Sequence, residues 1–252
     1  MNTYKVTVLE AGEMKMDKSI LTRGTGCGEM VTVPARMIAV EGGGMKLLVN
    51  TGLCAAAAER QKIEGIEITK GMSAADMNLL LEKIGWKAEE VNAIVNTSLH
   101  FMCCGNNGLF PNAAVYVQKA EWEYAHKPSR NQTEYYDAGL LSNGAGAGVN
   151  LILVDGECEI AEGLVLIPTP GVTRGHQSLL VNMEEGVVCC AGEAVNLMEN
   201  LRTNVISNVL DDTRSAFQSM RVITRTSRYL IPGFDPAVKA FACGSFPETH
   251  EA

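Results

Sequence analysis

The chain has 252 residues, 46% of them hydrophobic, and no apolar run approaches the roughly 20 residues of a bilayer span, so one soluble globular domain over residues 1–252 is expected. Its net charge of −8 argues against a nucleic-acid partner, because phosphate binding needs clustered Lys and Arg and no such patch is visible. The opening MNTYKVTVLEAG has neither a basic start nor a long apolar stretch, so the cytoplasm is the expected compartment, with the eight cysteines as reduced thiols.

Residues 4–9 alternate as a strand does, and the polar, Gly-rich segment up to Met30 reads as a surface loop. Two apolar runs, 35–41 and 45–49, flank Gly42, Gly43 and Gly44, which predicts a hairpin. Ser73 caps a helix with Asp76 three residues on, placing Met77, Leu80, Leu81 and Ile84 on one face before Gly85 ends it. Residues 91–95 form a short buried strand that delivers the loop 97–104. A strand over 113–117 and a helix over 121–126 follow, the latter closed by Pro128.

Residues 129–149 are polar and then Gly-rich, and GAGAG at 144–148 is a flexible loop rather than a phosphate loop, since no Gly-Lys-Ser/Thr follows. Strands are expected over 151–154, 164–167, 178–181 and 187–191, then a helix over 211–226, a strand over 229–231 and a last helix over 236–243. Strands and helices thus recur in two similar halves of an α/β protein.

Six segments carry a resemblance. They are MKLLVNTGL from Met45, NTSLHFMCCG from Asn96, VYVQKAEWEYA from Val115, TPGVTRGHQSLLV from Thr169, CAGEA from Cys190 and PGFDP from Pro232. In that order they resemble metallo-β-lactamase-fold hydrolases, above all the N-acyl-homoserine lactonase branch, whose metal loop reads His-x-His-x-Asp-His. The resemblance implies an αββα sandwich, two mixed sheets flanked by helices, with a site at one edge. It also implies a two-metal centre, and the ligand positions carry over to Ser98, His100, Met102, Cys103, Val172, Glu193 and Phe234. Val172 and Phe234 cannot coordinate a cation, and Met102 is at best a weak, soft ligand.

The expectation is therefore an enzyme without metal or other cofactor on a lactonase-like scaffold, hydrolysing, cleaving or isomerising a small, fairly apolar substrate. His100, Cys103 and Glu193 are the expected catalytic residues, with Cys103 or Cys104 as a thiolate nucleophile or acid/base partnered by His100. Ser98, Met102, Cys104, Val172, Phe234 and Asn50 are expected to contact the substrate. Because the loop lies at an edge, replacing His100 should leave folding nearly intact. Two alternatives stand: a single-zinc hydrolase using His100, Cys103 and Glu193, since three protein ligands and water suffice for catalytic zinc, and a non-catalytic ligand-binding or scaffold protein. A homodimer stays open. His176 is expected to orient its loop and Asp235 to serve as a salt bridge or helix cap. Cys27, Cys158 and Cys243 are packing residues, and His126 and His250 have no role.

Overall fold

The structure is a computed structural model that describes residues 2–60, 63–142 and 149–238. Residues 144–148, Cys243, His250 and the expected last helix beyond residue 238 lie outside the described residues.

Two mixed sheets carry the fold. The first holds β1 (Lys5–Asp17), β2 (Met30–Gly42), β3 (Met45–Val49), β4 (Ile66–Lys70), β5 (Ala93–Val95), β6 (Ala114–Gln118) and β7 (Asn150–Val154), in the order β4-β1-β2-β3-β5-β6-β7. The second holds β8 (Cys158–Ala161), β9 (Leu164–Pro168), β10 (Gln177–Met183), β11 (Gly186–Gly192) and β12 (Tyr229–Pro232), in the order β12-β11-β10-β9-β8. Antiparallel pairing gives way to parallel pairing at β3–β5 in the first sheet and at β11–β12 in the second. The helices are α1 (Ala57–Arg60), α2 (Ala74–Glu82), α3 (Phe101–Cys104), α4 (Lys119–His126), α5 (Ala138–Ser142), α6 (Met198–Arg202) and α7 (Thr213–Thr226).

Strand alternation sorts the apolar side chains into layers. Val6, Val8, Leu47 and Val49 of the first sheet meet Leu164, Leu166, Leu179 and Val181 of the second in the central core. Their neighbours Leu9 and Leu48 point the other way, to Met77, Leu80 and Leu81 of α2 and Tyr124 of α4. On the outer face of the second sheet, Cys189 and Leu230 pack against Ala216, Met220 and Ile223 of α7. The result is the expected four-layer αββα sandwich.

Sequence signals and structure agree at α2, where Ser73 and Asp76 form a reciprocal capping box, and at the β2–β3 hairpin, where Gly43 and Gly44 turn at φ +56° and +79°. They part at β1. This strand runs on to Asp17 through a register shift between Glu10 and Glu13, so the expected loop before Met30 is much shorter. The shift moves the buried set from Val6 and Val8 to Met14 and Met16 by way of Leu9 and Ala11, which breaks the period-two pattern that marks a strand. β4 and β8 are not among the expected strands; both are short edge strands with no fully buried residue.

The ends of β5, β11 and β12 converge at one edge of the sandwich. A Cβ on Gly192, whose φ is +53°, would lie 2.4 Å from Thr97 Oγ1, and one on Gly233 would lie 2.6 Å from Gly192 O. Similarly, a Cβ on Gly175 would stand 1.9 Å from the backbone nitrogen of Glu121, so only glycine lets the loop after β9 seat against the start of α4. These close approaches fix the loops that carry the site.

Candidate active site

Past Val95 the chain turns through residues 96–100 into α3, and Glu193 follows β11 directly. His100, which is fully buried, places Nδ1 2.8 Å from Glu193 Oε1 and Nε2 2.9 Å from Gln132 Oε1. Gln132 donates its Nε2 to the carbonyl of Val172, so its oxygen must face His100. Both ring nitrogens therefore face acceptors, and both must carry protons. Burial disfavours this imidazolium, but the charge and hydrogen bond of Glu193, with Glu121 nearby, outweigh it and raise the His100 pKa above its ordinary 6.5. For Glu193 burial acts upward, but His100 and the Ser98 hydroxyl draw the carboxyl down to about 2.

Ser98 donates to Glu193 Oε2 at 2.6 Å, and the Cys103 thiol lies 3.6 Å from the same oxygen. Three of the expected residues thus converge on the fourth, the Glu193 carboxylate. A second buried acid, Glu121 at the start of α4, accepts from the Leu99 backbone and from the hydroxyls of Tyr136 and Thr173. Burial pushes its pKa up and outweighs the His100 charge and these hydrogen bonds, which act downward. The His100 ring is enclosed by Tyr135 and Tyr136, with centroids 5.2 Å and 4.9 Å away.

Several expectations are corrected. Cys103 is buried, and burial together with the Glu193 charge drives its pKa well above the usual thiol value, so it is a packed thiol rather than a thiolate nucleophile. Cys104 points away from the site into the core beneath α2 and α4. Asn50, at φ +59°, spends its side chain on the Thr97 backbone nitrogen and hydroxyl and braces the loop instead of facing a substrate. Val172 packs under α7 and reaches the site only through its carbonyl. Met102 and Phe234 line a cavity of about 20 Å³ that also contains Glu193, Asn196 and Tyr135. His176 holds its loop through one ring nitrogen only: Nδ1 bonds Thr169, Nε2 has no partner among the described residues, and burial lowers its pKa to about 4. Asp235 fits as a cap, its carboxylate accepting from the backbone of Met198 at the start of α6.

Comparison with known proteins decides the family. A model of the metallo-beta-lactamase superfamily matches residues 32–233. The chain belongs to that superfamily. Within it, the chain is 28% identical to an N-acyl homoserine lactonase of Bacillus cereus over 81% of both chains, and 24% identical to one of Bacillus thuringiensis over 98% and 99%. A similar fold is that of an N-acyl homoserine lactone hydrolase with N-hexanoyl-L-homoserine at its catalytic metal centre, TM-score 0.82 at 22% identity over 98% of this chain and 100% of that one. Another is a dizinc quorum-quenching lactonase, TM-score 0.72 at 14% identity over 99% and 95%.

These relatives overturn the expectation of an enzyme family member without a cofactor, because the similar enzymes are metal enzymes. The side chains of this superfamily member nonetheless do not fit a two-metal centre. Val172 and Phe234 offer no donor atom, and both nitrogens of His100 are engaged as N–H groups. The triplet His100, Cys103 and Glu193 does come together, yet around the carboxylate rather than around a common centre, and no three His, Cys, Asp or Glu among the described residues are placed to hold a metal.

Proposed function

We propose that this chain is a lactonase-like hydrolase acting on a small molecule at the edge where β5 and β11 end. The observation that carries the reading is the buried pair of His100 and Glu193, set among motif frames that follow the lactonases over most of the chain. Among the described residues, Glu193 is the one ionisable acid or base lining the cavity apart from the phenol of Tyr135. There it can accept a proton from a water or alcohol, while His100 behind it holds the carboxylate in place. A carboxylate lowered to about 2 is a weak base, so slow turnover is the expected outcome.

The test is a panel of lactones and esters, N-hexanoyl homoserine lactone included, assayed with metal content measured on the same preparation. Hydrolysis is expected, and Glu193→Gln, which keeps the shape but cannot take up the proton, should lower the rate about 100-fold or more. The small size of the cavity favours a second reading, a ligand-binding protein without turnover. Binding of a panel member with no product from the wild-type chain would establish that reading instead. No helix among the described residues is long and apolar enough to cross a membrane.

A further inference from the structure

Glu121 is 1% exposed, stands in the first turn of α4 and, among the described residues, is not one that lines the cavity. It makes no hydrogen bond to His100, yet its three hydrogen bonds all lead there. Oε1 accepts from the backbone nitrogen of Leu99 at 2.8 Å, and the next residue along the chain is His100. The same oxygen accepts from the Tyr136 hydroxyl at 3.0 Å, and the Tyr136 ring meets the His100 ring edge-on at a centroid distance of 4.9 Å. Oε2 accepts from the Thr173 hydroxyl. The carbonyl of the preceding residue, Val172, takes Gln132 Nε2 at 2.9 Å, and Gln132 Oε1 meets His100 Nε2 at 2.9 Å. The backbone, the ring and the far nitrogen of His100 are each tied to one carboxylate that does not itself bond the ring.

The three donors belong to three separate segments: the loop after β5, the stretch between α4 and α5, and the loop between β9 and β10. A buried carboxylate is costly unless its oxygens are hydrogen-bonded, so the burial of Glu121 holds all three donors in place. The loop between β9 and β10 is also pressed against the Glu121 backbone, where only Gly175 fits. His100 in turn has to aim Nδ1 at Glu193 and Nε2 at Gln132 together, and hydrogen bonds weaken steeply once their angle falls below about 120°. A ring free to turn would lose both bonds, and with them the fixed place of the Glu193 carboxylate.

We infer that Glu121 is a positioning residue for the proposed reaction: its carboxylate fixes the orientation of the His100 ring, and through it the Glu193 carboxylate, without meeting the substrate. The inference rests on the pair of His100 and Glu193 being the working site of the proposed function.

The test compares the full wild-type chain with Glu121→Gln and Glu121→Met. Gln keeps an oxygen for Leu99 and Tyr136 and turns a donor toward the Thr173 hydroxyl, whereas Met fills the space and accepts nothing. The readout is the exchange with water of the two His100 ring N–H protons, followed by NMR of histidine-labelled protein. In Glu121→Met this exchange is expected to be about 10-fold or more faster, the equivalent of one lost hydrogen bond to a charged group, and in Glu121→Gln to stay near the wild-type rate. Backbone amides of β10 report opening of the whole domain and should quicken less than the ring protons. Equal quickening of the two would mean a merely structural carboxylate and overturn the inference, as would unchanged ring exchange in folded Glu121→Met or exchange in Glu121→Gln as fast as in Glu121→Met. If Glu121→Met does not fold, Tyr136→Phe combined with Thr173→Val, which cuts two of the three routes, takes its place with the same expected and contrary results. On N-hexanoyl homoserine lactone, Glu121→Met should lower kcat about 10-fold and leave KM unchanged, because Glu121 does not line the cavity. A retained kcat would also overturn the inference, whereas no hydrolysis by the wild-type chain would remove the proposed function and leave ring exchange to decide the role of Glu121.

Discussion

Replacing His100 with Ala is expected to destabilise the protein by about 3–5 kcal/mol, the cost of removing one partner of a buried ion pair and leaving the other charged and unpaired. The edge position of the loop suggests a harmless change, but His100 is fully buried and joins Glu193, Gln132 and, through Gln132, the Val172 carbonyl. One substitution therefore strands a carboxylate, a side-chain amide oxygen and a packed aromatic wall. Removing both charges is expected to be far milder. The double variant His100→Leu with Glu193→Met removes both charges of the pair, and replacing a buried pair with apolar groups of similar size is often close to neutral. Urea unfolding of the two variants measures both effects. A single variant within about 1 kcal/mol of wild type would mean that the pair is solvated and weak.

The second large effect is on stability against pH. Glu193 has a folded pKa of about 2, below its ordinary 4.5, so its contribution is complete above pH 4.5 and is lost as pH falls toward 2. His100 is shifted the other way. Its contribution is complete below 6.5 and is lost as pH rises through its raised folded value. The pair thus stabilises the fold most between these limits. Other carboxylates, Asp17, Asp76 and Asp211 among them, also have lowered pKa values and add to the acid loss. The difference in melting temperature between wild type and Glu193→Gln isolates the pair. That difference is expected to be largest between pH 4.5 and 6.5 and to shrink on both sides. A difference that stays constant down to pH 2 would contradict the assignment of the low pKa to Glu193.

How much of this was legible in the sequence varies by residue. The hairpin at Gly43 and Gly44 and the capping box of Ser73 and Asp76 depend on neighbours a few positions apart, and both were readable. β1 was read short because its bulge shifts which side chains are buried midway, and no local rule marks where the second half resumes. At the site, the motif frames put His100 and Glu193 past the ends of two strands, and the fold brings these two side chains together. The same frames misplaced Cys104 and Asn50, because a loop alignment gives position along the chain but not the direction of a side chain.

Three contributors were not anticipated: Glu121, Gln132 and Tyr136. Glu121 sits among the charged residues of a short helix, and it is buried only because Gly175 lets the neighbouring loop close over it. Gln132 and Tyr136 lie in a stretch of low apolar content that reads as a surface loop. Their burial comes from contacts 32 or more positions away in the case of Gln132 with His100, and 15 away for Tyr136 with Glu121.

The account turns on the charge of His100, a buried imidazolium held between a carboxylate and an amide oxygen. Nitrogen-15 chemical shifts of its ring, followed from pH 5 to pH 9 in selectively labelled protein, report that charge directly. The account predicts that both ring nitrogens keep the shifts of protonated imidazolium well above pH 6.5, and that in Glu193→Gln the midpoint drops. A ring with one bare nitrogen at neutral pH, or a midpoint at or below 6.5 in the wild-type chain, would contradict it.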